Sequence, residues 1–94
     1  MDSRLGLDLI HSFVVVAEEL NFRRSAERLN IDQSALTRRI QKLEHIIQFS
    51  LFERTTREVS LTPAGRSFYE ENARIVQMYE HSVAAAKRIA EDKT

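Results

Sequence analysis

Residues 22–47, FRRSAERLNIDQSALTRRIQKLEHII, constrain this chain more than any other stretch. Two helical patterns stand there with only Asn30, Ile31 and Asp32 between them. The first, residues 22–29, carries Ala26 and Leu29 on its apolar side. The second begins after Asp32 and places Leu36, Ile40, Leu43 and Ile47 at steps of four, three and four, which is one face of a helix. Its other face shows Gln33, Ser34, Thr37, Arg38 and Gln41, side chains that hydrogen-bond base edges and phosphates. Two short helices at a tight turn, the second with an apolar back and a polar front, predict a helix-turn-helix whose second helix enters a DNA major groove.

Charge is distributed in the same sense. The chain has 94 residues and no net charge. Residues 23–66, however, hold nine Lys and Arg against five Asp and Glu, and residues 1–22 hold Arg4 against Asp2, Asp8, Glu18 and Glu19. The positive excess therefore falls on the proposed reader, which matters more than the total. A chain of this length makes one domain with a modest core. It has no cysteine, so disulfides and thiolate metal sites are excluded. The longest apolar run, residues 13–17, is far short of the roughly 18 residues of a membrane helix. No membrane partner is expected, and a cytoplasmic, nucleoid-associated location is. No nucleophile–base pair, metal cluster or phosphate-cradling glycine loop is present in the sequence, so neither catalysis nor a cofactor nor a metal is expected.

The flanks complete the picture. Residues 7–20 predict a first helix, with Ile10, Phe13, Val14, Ala17 and Leu20 recurring at helical spacing and covering the back of the next two. His11 lies near that stripe and is read as structural. Asn21 is the expected N-cap of the second helix. Arg23 and Arg24 follow it at the positive helix end, where cations are slightly unfavourable unless they serve a phosphate. Asn30 tolerates the left-handed exit, Ile31 plugs the gap, and Asp32 is the expected N-cap of the third helix. Gln33 and Ser34 then fall in its first turn and Arg38 a turn later, while Arg39 and Lys42 suit backbone phosphates. Residues 51–54 and 59–61 read as a short hairpin with Phe52 and Leu61 inward and Arg54 and Arg57 near the tip, a basic wing. Thr62 and Pro63 open a last helix as N-cap and first residue. It continues to about residue 91, roughly 40 Å, with only Gly65 against it. Tyr69, Val76, Val83 and Ala90 repeat every seven along it, interleaved by Asn72, Tyr79 and Ala86. Such a stripe on a long helix wants a partner helix, and a dimerising seam is expected there.

The fold class is thus mainly α: a winged helix-turn-helix of three helices and a two-stranded wing over residues 1–62, then a linker and dimerisation helix over residues 63–94. This order, with FVVVAEELNFRRSAERLNIDQSALTRRIQKLE and LFERTTREVSLTPAG, resembles the N-terminal DNA-binding domain of LysR-type transcriptional regulators. The resemblance runs from residue 7 to the last helix. Its pieces are A-x-x-L at Ala26 to Leu29, Q-x-x-L-[ST]-R-x-I-x-x-L-E at Gln33 to Glu44, L-F-x-R at Leu51 to Arg54, and L-T-x-A-G at Leu61 to Gly65.

The resemblance implies that Gln33, Ser34, Thr37 and Arg38 face bases and phosphates in the major groove, and that Arg54 reaches the minor groove or its edge. It implies that Arg24 and the start of the second helix touch phosphate. It also implies a homodimer through antiparallel linker helices on an interrupted dyad in double-stranded DNA, with tetramers in full-length family members. Those members carry a C-terminal effector domain, so these residues are expected to be a piece of such a regulator or a shortened version of one. Four positions depart from the family pattern. Ser34 stands for a frequent Pro and Asp32 for a Ser cap. Gln48 stands for the Gly that ends the third helix, implying a strained exit or a longer helix. Thr56 stands for a wing Gly, implying another turn. The competing reading is a winged-helix protein-interaction module without DNA binding.

Overall fold

A computed structural model describes residues 6–92. The elements are α1 (Leu7–Glu19), α2 (Phe22–Leu29), α3 (Gln33–Ile47), β1 (Phe52–Arg54), β2 (Val59–Leu61) and α4 (Pro63–Asp92). The winged helix-turn-helix with an appended long helix is the architecture expected from the sequence.

The position of α1 differs from that expectation. It does not merely cover the back of the other helices: residues 12–17 are buried without a break, and α1 packs against α2, α3 and α4 alike. A helical segment buried on every side tolerates the run Val14, Val15, Val16, because packing outweighs the weak propensity of β-branched residues. Ser12 survives in that setting by donating to the Asp8 carbonyl at 2.8 Å. Leu20 leaves the predicted stripe. It is the left-handed C-cap of α1, with φ 51, and is 42% exposed. His11 is exposed rather than set in the core.

The core is a single cluster joining Phe13, Val16 and Ala17 of α1, Phe22 and Ala26 of α2, and Leu36, Ile40 and Leu43 of α3 to Leu51, Phe52 and Val76. Aromatic rings form a chain through it. Phe22 meets Phe52 edge-on at 6.1 Å, Phe52 meets Phe13 at 5.6 Å, and Phe13 meets Phe68 of α4 at 5.3 Å. The wing is therefore seated on the helices by Phe52, paired across the strands with Leu61. A two-stranded hairpin is marginal alone and needs that support.

The junction between wing and α4 is built from backbone approach. Thr62 caps α4, its hydroxyl accepting from the Gly65 amide at 2.8 Å and donating to the Ser50 carbonyl at 2.7 Å. A Cβ on Gly65 would lie 2.1 Å from the Leu51 carbonyl oxygen. Only glycine fits there without moving backbone. The core continues beyond residue 62 into α4 through Phe68, Tyr69, Asn72, Ala73 and Val76.

Candidate nucleic-acid interface

The turn between α2 and α3 follows from its residues. Asn21 caps α2, its side chain accepting from the Arg24 amide at 2.9 Å. Asn30 ends α2 at φ 57, ψ 46, and the Ile31 amide reaches back to the Ala26 carbonyl at 3.0 Å. This is the two-step closure that a left-handed Asn permits. Ile31 packs half-buried on the core. Asp32 holds the N-cap position of α3, but its side chain makes no capping hydrogen bond. The sequence expectation of a carboxylate cap is corrected there. Asp32 contributes its carbonyl, which accepts from the Leu36 amide at 3.0 Å, and leaves its charge exposed beside the first turn.

The first turns of α3 are open. Gln33, Ser34 and Arg38 are exposed, Thr37 is half-buried, and Leu36, Ile40 and Leu43 are buried behind them. The polar face divides in two. Gln33 and Thr37 turn toward the wing and share an open cleft of about 340 Å³ with Arg23, Arg54 and Arg57. Arg38 and Lys42 turn the other way and line a second depression beside Gly6 and Asp8. Arg24 is exposed and lines neither.

The wing wall of the cleft is shaped by Thr55. Its hydroxyl accepts from the amides of Arg57 and Glu58 at 3.2 and 3.0 Å, and its own amide donates to the Glu58 carbonyl at 2.9 Å. Among the described residues, the only non-glycine positive φ values are at Leu20, Asn30 and Gln48. Thr56 thus turns the tip without the left-handed backbone a glycine would offer. Arg54 does not stand at the tip: it pairs with Val59 in the ladder, and its guanidinium lies over the Phe22 ring at 4.2 Å. Glu58 is the carboxylate in the cleft wall, and Arg23 pairs with Glu27 at 3.2 Å with both side chains well exposed. An exposed pair of that kind is easily exchanged for another anion.

Sequence reasoning missed several working contacts. Glu44 accepts from the Leu51 amide at 2.7 Å, tying the segment before the wing to α3. Its signal was a carboxylate closing the Gln33 to Glu44 motif, with nothing local to name its partner. Gln48 ends α3 in the left-handed region at φ 68, without extending the helix; its backbone amide donates to the Glu44 carbonyl at 2.9 Å and its side-chain Nε2 to the His45 carbonyl at 2.6 Å. Arg39 donates to Ser12 at 3.2 Å, so it braces α3 on α1 instead of pointing freely outward. Arg28 is held by Glu18 at 2.8 Å and Glu19 at 3.2 Å. Those bonds, Glu18's first, stabilise its charged form and raise its pKa. Glu18 also accepts from the Tyr69 hydroxyl at 3.4 Å. The Tyr69 phenol is pushed up, first by burial and then by the Glu18 charge.

The predicted seam on α4 is split. Tyr69, Asn72 and Val76 pack inside the chain: Tyr69 meets Phe13 edge-on at 6.5 Å, and Asn72 and Val76 are buried. Tyr79, Val83 and Ala86 are exposed. Ile75, Met78 and Ile89, 49%, 72% and 62% exposed, join them on one side of the helix. The seven-residue stripe runs along one face, its first half covered by the chain's own core and its second half exposed.

A helix-turn-helix with basic wing and appended long helix defines a class of nucleic-acid-binding architecture. A sequence profile described as bacterial regulatory helix-turn-helix protein, lysR family, matches residues 7–66. The chain belongs to that family. It is 47% identical over 87 residues to the uncharacterized HTH-type transcriptional regulator YnfL of Escherichia coli K12, covering 90% of this chain and 29% of YnfL. It is 40% identical over 78 residues to the regulator BenM of Acinetobacter baylyi, covering 83% of this chain and 26% of BenM. The fold matches the BenM DNA-binding domain in complex with catB site 1 DNA at TM-score 0.86 and 37% identity, covering 92% of this chain and 96% of that one. It matches the CbnR DNA-binding domain in its DNA complex at TM-score 0.81 and 32% identity, covering 92% and 99%. The chain spans less than a third of the length of YnfL and of BenM. No helix among the described residues is long and apolar enough to cross a membrane.

Proposed function

We propose that this chain reads double-stranded DNA by sequence, as a homodimer, in transcriptional regulation. The observation that carries this is the cleft in which Gln33 and Thr37 of α3 face Arg54 and Arg57 of the wing. A DNA backbone between recognition helix and wing would meet amide, hydroxyl and guanidinium donors on both sides. Gln33, Ser34, Thr37 and Arg38 take base edges and nearby phosphates in the major groove. Arg23, Arg24, Lys42 and Arg57 take phosphates, and Arg54 takes the minor groove or the phosphates along its edge. The chemistry asked of these residues is binding, with no catalytic step and no cofactor. The setting is the cytoplasm, at the nucleoid.

Residues 1–62 form the reader and residues 63–94 the linker and dimerisation helix. The extreme ends of both, residues 1–5 and 93–94, lie outside the described residues. Tyr69, Asn72 and Val76 fix the helix to its own reader. Tyr79, Val83 and Ala86, with Ile75, Met78 and Ile89, meet the second copy. Two readers so joined suit an interrupted dyad, and tetramers belong to longer family proteins.

The test is selection of duplexes from a random pool by the chain, repeated with Arg38→Ala. The enriched sequence should be a dyad, and the variant should lose preference within each half-site. Enrichment of the same sequence by both would remove Arg38 from the readout. No enrichment with either, together with retained folding, would favour a protein-interaction module. For the dimer, Val83→Lys should sediment as a monomer, because Val83 is exposed whereas Val76 also serves the core.

A further inference from the structure

We propose that Phe22 is a positioning residue for DNA binding: its ring holds the Arg54 guanidinium at the mouth of the cleft. The inference rests on the reading that Arg54 contacts DNA. Phe22 is the first residue of α2 and is 8% exposed. Its ring touches the core edge-on through Phe52 at 6.1 Å, and the Arg54 guanidinium carbon lies 4.2 Å from its centroid. Phe52 and Arg54 are two apart on β1, so they share one side of the strand. The strand therefore lays one side chain into the core and the next onto the aromatic that the core presents.

Three physical points make this a device and not just packing. A cation over a ring is attracted by the ring's negative face. A guanidinium is planar, and contact through its face leaves its N–H edge free to meet phosphate or minor-groove acceptors. An arginine already restrained on a ring loses less rotamer freedom when it binds. Among the described residues, Arg54 makes no ion pair within 4.0 Å, so the ring is its principal restraint. Phe22 also lies beside the Asn21-capped start of α2, next to Arg23 in the same cleft. It couples the position of the wing to the helix-turn-helix.

The experiment measures affinity for a duplex enriched by the chain. Phe22 is replaced by phenylalanine carrying one, two or three ring fluorines, which weakens the negative face with little change of shape. A parallel series is made in an Arg54→Ala background, with thermal unfolding followed throughout. Arg54→Ala should itself weaken binding. Trifluorination should weaken binding about two- to fivefold in the parent, with intermediate steps between, and leave the Arg54→Ala chain unchanged. A flat series in the parent, an equal fall in both backgrounds, or tighter binding on fluorination would overturn the proposal while leaving the wing assignment intact. No effect of Arg54→Ala would overturn both.

Discussion

Arg28 and Arg54 belong to the same small domain and are treated differently by it. Arg28 lies between two carboxylates, Glu18 and Glu19, on the side where α1, α2 and α4 meet. Arg54, with Arg38, Lys42 and Arg57, makes no such ion pair among the described residues. Arg54 rests on an aromatic ring, and Arg57 hangs over a cleft facing Gln33 and Thr37. The chain has as many acids as bases, so this difference is one of placement. Glu18 and Glu19 pair directly with Arg28, whereas Asp8 and Glu58 line the same depressions as Arg38, Lys42, Arg54 and Arg57 without an ion pair to them among the described residues. Charge satisfied internally is framework, whereas charge left unsatisfied awaits a partner.

That contrast is broken or sharpened most strongly at Arg38. Arg38→Ala should weaken binding to the enriched duplex by about 5- to 150-fold, the worth of a good base contact, and leave the melting temperature unchanged because the residue is exposed. Arg57→Ala should weaken binding less and evenly across sequences, and lower the salt slope by about 1. Competition titration against specific and scrambled duplexes checks this. Arg28→Ala should behave oppositely, with DNA affinity within about twofold and a stability loss below about 1 kcal/mol in urea unfolding, since the pair is solvent-exposed. If Arg28→Ala cost more affinity than Arg57→Ala, the division into framework and reader would be wrong.

The smallest effect concerns Tyr69, at the edge of the Arg28 cluster. Its pKa is raised by burial and by Glu18, so folding favours the neutral phenol. Its contribution to stability is complete below the ordinary phenol value and declines as pH rises through the raised one. Tyr69→Phe should flatten part of the alkaline fall in stability, seen by denaturant midpoints across pH. An unchanged profile would show that burial and Glu18 together do not raise the Tyr69 phenol in solution.

How much of this was legible in the residues follows from range. The helix borders, the Asn21 and Thr62 caps and the left-handed Asn30 are decided by neighbours within a turn, and all were readable. The inward side of Phe52 and Leu61 was readable because they are the apolar positions of a short hairpin that must lean on the helices. Interactions across the fold were not. Arg54 over Phe22 joins residues far apart in sequence, as do Arg39 with Ser12 and Glu18 with Tyr69. Gly65 looked like a helix flaw, and its reason lies in the Leu51 carbonyl beside it. The α4 stripe misled because the helix outruns its core: Val76 is covered by the chain's own residues, whereas Val83, seven residues on along the same face, is exposed. Periodicity reports an apolar side, not which body covers it.

The central claim, that the cations of α3 and the wing meet DNA phosphate, is tested most directly by the salt dependence of affinity for the enriched duplex. Between about 50 and 200 mM salt, the logarithm of the association constant should fall linearly with that of the salt concentration, at a slope of about −0.9 for each phosphate neutralised. With Lys42, Arg54 and Arg57 engaged, each reader should contribute a slope of about −3 or steeper. A slope near zero would contradict the account.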